Sequence, residues 1–141
     1  MELKRLSEIE YEICVTQGML YEHVANDGIL FPKFSDVYLV SDFCKRAMDT
    51  DYSRFQLQHP GELLDFIIPE NPGIDEKFPD GQCFDGAVAY WIGFMYRYLS
   101  IAMGISSKEL LQRYSFGQMC AMYPGMHTVD YDMAADMIVG N

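Results

Sequence analysis

Positive charge is scarce in this 141-residue chain: ten Lys and Arg stand against twenty-one Asp and Glu, a formal net charge of −11. Phosphate backbones and anionic lipid surfaces are held by clustered cations. The ten here are scattered, which argues against direct nucleic-acid binding and against a membrane surface. The four cysteines, Cys14, Cys44, Cys83 and Cys120, lie too far apart for a CxxC pair, so neither a zinc nor a redox motif is present. They read as buried reduced thiols of a cytoplasmic protein. The opening "MELKRLSEIEYEIC" has no apolar run behind its basic residues and does not read as a signal peptide.

Other signatures are missing too. There is no glycine-rich phosphate loop. The acidic pairs Asp49/Asp51 and Asp130/Asp132, with Asp136 one turn on, lack the glycine and closing glutamate of a calcium loop and suit helix caps instead. No metal and no cofactor is therefore expected. His23, His59 and His127 have no local nucleophile or orienting group beside them, so no catalytic residue is assigned. No stretch of any length alternates as a strand does.

What the chain does have is helix punctuation. Ser7 with Glu10, Ser106 with Glu109, and Ser115 with Gln118 all show capping-box spacing. Ile9, Ile13, Leu20 and Val24 fall near one face of the first helix, which "NDG" at 26–28 should stop. "GILFPKF" reads as a connector broken by Pro32, and "SDVYLVSDFCKRAMDTD" as one helix capped by Ser35 or Asp36. Pro60 sits at a first helical position, with Pro69 and "NPG" as stops. Residues 69–83 form the longest loop. "YPG" at 123–125 should close another helix, and Asp130 should cap the last. The expected fold is all-α: a single domain over 1–141, a compact bundle of about six or seven helices around a central apolar helix at 84–104.

That central stretch, "FDGAVAYWIGFMYRYLSIAMGI", approaches the length of a membrane span. Arg97 in its middle opposes insertion, since a cation at the bilayer centre costs at least ~2.5 kcal/mol. Tyr90, Tyr96 and Tyr98 run through its interior rather than marking two interfaces. At helical spacing, Val88, Trp91, Ile92, Met95, Leu99 and Met103 form one apolar side. Gly86, Tyr90, Gly93, Arg97, Ser100 and Gly104 form a stripe of mostly small residues. Such a stripe admits either a neighbouring helix or a ligand or partner side chain held by Arg97 and Tyr90.

Three strings, "KRAMDTDYSRFQLQHPGELLDFIIPE", "AYWIGFMYRYLSIAMGISSKEL" and "YPGMHTVDYDMAADMI", together resemble a group of small uncharacterised Firmicutes proteins. Those proteins are encoded in toxin–antitoxin-like loci beside toxins similar to ADP-ribosyltransferases. The resemblance covers roughly residues 35–138 and brings no catalytic residue with it. It implies a protein that binds or neutralises another protein.

The expectation is a non-enzymatic protein-binding module, an antitoxin or accessory protein that contacts a toxin or another basic protein. Tyr52, Arg54 and Phe55 in "DTDYSRFQ", with Tyr90 and Arg97, are the candidate partner-binding residues, because aromatic and Arg side chains dominate binding hot spots. Two alternatives stand beside it. An acidic inhibitor that mimics nucleic acid, as phage anti-defence proteins do, requires a continuous acidic strip. A small enzyme requires a concave site joining a histidine to carboxylates or a cysteine.

Overall fold

The computed structural model describes residues 2–140, so the two outermost residues of the expected domain lie outside it. The described residues form eight α-helices: α1 Glu8–Asn26, α2 Phe31–Leu39, α3 Asp42–Ala47, α4 Pro60–Glu70, α5 Gly86–Met103, α6 Ser107–Arg113, α7 Phe116–Met126 and α8 Tyr131–Gly140. A short 3₁₀ turn spans Pro79–Gly81. Among the described residues no helix is long and apolar enough to cross a membrane.

Most helix ends fall where side chains satisfy orphan backbone groups. Ser7 Oγ accepts from Glu10 N while Glu10 Oε1 accepts from Ser7 N, a complete capping box. Ser115 and Gln118 make a second. At Ser106 only half of the box forms, because the Glu109 carboxylate turns to Arg113 instead. Asp85 Oδ1 accepts from Ala87 N and Val88 N, and Gly104 ends α5 at φ +67°, a left-handed conformation that favours glycine.

The bundle has one helix more than the sequence suggests, because the single helix expected at 35–48 is two. Pro32 occupies the second position of α2, where its missing N–H is harmless, so that helix begins earlier. Ser41 then breaks the run and caps α3 through Cys44 N. Pro69 and Pro124, read as stops, lie inside the last turns of α4 and α7, which continue for one and two residues beyond them. Ile9 is 60% exposed rather than part of the buried face of α1. The acidic loop after α4 is pinned near its middle: Ile29 and Lys77 form an isolated antiparallel bridge, and Ile74 is buried.

Helix α5 is the hub. It makes its largest contact with α1 and also touches α6, α7 and α8. Every residue from Trp91 to Ser100 is buried. The stripe of small residues faces α1. A Cβ on Gly93 would stand 2.6 Å from Tyr21 Cγ and 2.8 Å from the Gln17 carbonyl oxygen. A Cβ on Gly86 would meet Asn26 Oδ1 at 2.6 Å, and Gly18 of α1 faces the Tyr90 ring in the same way. The stripe therefore lets one helix backbone approach another, the first of the two roles its composition allowed.

Candidate functional site

Two places bring together the side chains that the sequence singles out. The first is buried. Arg97 is 1% exposed and every one of its five N–H donors has an acceptor. Its Nε and Nη2 donate to Gln17 Oε1 at 3.2 and 2.9 Å, and Nη2 also to Ser107 Oγ at 3.0 Å. Its Nη1 donates to Asp49 Oδ1 at 2.7 Å and to the Met48 carbonyl at 3.3 Å. Asp49 is held from the other side by Ser107, whose Oγ donates to Oδ1 at 2.6 Å and whose N–H donates to Oδ2 at 2.9 Å. Tyr38 Oη completes the network on Gln17 Oε1 at 2.8 Å, while Gln17 Nε2 donates to the Gly93 carbonyl.

Burial alone would lower the pKa of Arg97, but Cys44, Asp49 and Tyr38 beside it reverse the effect, and the net shift is upward. The guanidinium is thus a fixed charge in the middle of five helices and the α3–α4 connection. Burial pushes the Cys14 thiol up to about 12 and raises Cys44 as well, so both stay protonated and unreactive in the fold.

A cleft of about 680 Å³ opens over this network, with Lys4, Glu10, Asp49, Asp51, Arg97 and Ser106 among its walls. Of its charged walls, Lys4 pairs with Glu10 and Arg97 with Asp49. Among the described residues no group of three or more His, Cys, Asp and Glu is arranged to hold a metal ion.

The second place is on the surface. After α3, the chain turns through Ser53–Gln58. Ser53 N donates to Gln56 Oε1, Phe55 N to Ser53 Oγ, and Gln56 Nε2 to the Thr50 carbonyl. This lock presents Tyr52, 86% exposed, and Leu57, 58% exposed. Phe55 packs edge-on between Phe43 and Phe66, with ring centroids 5.3 and 5.1 Å away. The Arg54 guanidinium stands over Phe55 at 4.5 Å and over Phe66 at 5.6 Å.

The candidate residues therefore divide. Tyr52, Arg54 and Phe55 lie on one turn of the chain, with Tyr52 and Arg54 exposed and Arg54 over the half-buried Phe55 ring. Arg97 is turned inward and its donors are occupied by the chain itself. Tyr90 is half-buried, stacked along α5 toward Phe94 and against Gly18 of α1, and burial pushes its hydroxyl up to about 12. The histidines are apart from both places. His59 caps α4 through Gly61 N, His127 stacks on Tyr123 at 4.4 Å, and His23 is exposed in the last turn of α1.

Sequence reasoning missed Gln17, Ser107 and Phe66. Gln17 carried a signal: it is a polar residue on the apolar face of α1, between Ile13 and Tyr21, where an unpaired amide is costly. Ser107 carried none, sitting one residue past a helix cap of ordinary composition.

Comparison with known proteins gives no matching family model, no similar curated protein and no similar solved structure.

Proposed function

We propose that the chain is a non-enzymatic protein-binding module of the cytoplasm that acts by direct contact with a partner protein, in the antitoxin-like or accessory role that its sequence resemblance implies. One observation carries this reading. Tyr52, Arg54 and Leu57 are solvent-facing on a hydrogen-bonded turn, with Phe66 38% exposed beside them. Aromatic and Arg side chains on a rigid support are what protein hot spots are made of, with Leu57 adding apolar contact area, and pre-organisation reduces the entropy lost on docking. The net charge of −11 favours a partner that is basic overall, because complementary charge speeds encounter.

The test is isolation of the tagged chain from its native host. A co-purifying protein at constant stoichiometry is expected, and the double variant Y52A/L57D should lose it while keeping the helical circular dichroism of the parent. A chain that elutes alone at every salt concentration overturns the reading.

A further inference from the structure

We infer that Arg54 is a pre-organised anchor for a single carboxylate of the partner, presented among apolar side chains; this rests on the protein-binding reading above and specifies its chemistry. Carboxylates outnumber cations twenty-one to ten in this chain. Among the described residues, seven of the ten cations have a carboxylate within 4.0 Å. Arg54, exposed in this acid-rich chain, is not one of them; Lys45 and Lys108 are the other two, and of these three only Arg54 stands over aromatic rings. It is instead fixed over two phenyl rings, Phe55 and Phe66. Stacking orients a planar guanidinium while leaving its N–H edge unused, and that edge matches a carboxylate in a bidentate fork. Phe55 is itself packed between Phe43 and Phe66, so the ring under the guanidinium is in place before any partner arrives.

The surroundings choose the ligand. The neighbouring cation Arg46, over the Phe43 ring, is committed to both oxygens of Glu70. One free guanidinium matches one negative charge. A phosphate, with its second charge, would need another cation and would meet the field of a chain carrying −11. The exposed part of Phe66 adds apolar contact beside the fork, and Tyr52 and Leu57 are exposed on the same turn of the chain as Arg54. The occupant is a partner segment with one Asp or Glu flanked by apolar residues, on a protein that need not be acidic elsewhere.

The probe is a random-peptide phage library selected on the intact chain, with enriched peptides synthesised and their affinities measured. Peptides with one acidic residue between apolar ones are expected. R54A should weaken them by about tenfold or more, the scale of a hot-spot truncation. R54K should recover only part of the loss, because an ammonium cannot make the fork. Replacing the peptide's Asp by Asn should cost the same factor on the parent chain and little on R54A. Peptides that bind equally well to R54A, or whose anion is phosphate, overturn the anchor and leave the protein-binding reading in place. If no peptide is enriched that Y52A/L57D rejects, both are overturned. Unchanged circular dichroism and melting of the variants exclude misfolding as the cause.

Discussion

Asp49 Oδ1 lies 2.7 Å from Arg97 Nη1 and also accepts from Ser107 Oγ, so one carboxylate joins the hub helix to the start of α6. The side chains of the pair are 9% and 1% exposed. Arg97 has no solvent to turn to and Asp49 little, so the loss of one partner strands the other.

R97M and D49N should therefore each destabilise the fold by about 3–5 kcal/mol, the range for breaking a buried ion pair by removing one partner. Urea denaturation followed by circular dichroism measures this. A double variant that replaces both by apolar residues should recover part of the loss, since no buried charge is left alone. If D49N unfolds at the parent's midpoint, the pair is not the structural joint described.

Close approach of α1 and α5 predicts a steric effect at Gly93. Its added Cβ would be 2.6 Å from Tyr21 Cγ and 2.8 Å from a backbone oxygen, and the backbone has little room to yield. G93A should lower stability by about 1–3 kcal/mol, as overpacking does. G104A meets no neighbour but forces a Cβ into φ +67°, at roughly 1–2 kcal/mol. G125A, with open space and no such φ, is the control expected to change stability least.

Glu10 supplies an acid-sensitive element. Burial works to raise its pKa, but the hydrogen bonds from Lys4 and from the Ser7 N–H outweigh it, so the net shift is below the ordinary 4.5. A carboxylate depressed in the folded state adds stability that is fully present above its unfolded pKa and drains away as pH falls through the folded value. The stability of the parent should thus fall between about pH 5 and pH 3 more steeply than that of E10Q. Parallel curves for the two proteins would show that the Lys4–Glu10 pair contributes nothing.

Thiol chemistry should sort the cysteines. Cys83 is exposed, whereas Cys14 and Cys44 are buried, with thiol pKa values raised by that burial. A thiol reagent at pH 8 should label Cys83 at once and Cys14 and Cys44 only in denaturant. Mass spectrometry of the labelled peptides identifies them. Rapid labelling of Cys44 in the native protein would mean that the Arg97 network opens readily.

Helix existence was legible because it depends on local chemistry. Ser7, Ser115 and Asp85 satisfy backbone donors within three residues, and the apolar girth of α5 could only be buried. The break at Ser41 and the last turns beyond Pro69 and Pro124 were not legible, because a capping serine and a proline near a helix end each permit two outcomes. Of the candidate residues, Tyr52, Arg54 and Phe55 sit together because they are neighbours in the chain. Phe66 joins them only through the contact of α4 with the preceding turn.

By itself the sequence determined the helical class, the central place of residues 86–103 and the acidic balance, since caps, apolar periodicity and composition are local or summed properties. Tertiary structure alone decided the fate of its two most suggestive arginines. Gln17, Asp49 and Ser107, 80, 48 and 10 residues from Arg97, converge on one guanidinium and bury it. Phe66, twelve residues from Arg54, comes in beside the other, which stays exposed. Whether a charge is enclosed or presented depends on which distant side chains arrive around it, and no spacing along the chain encodes that.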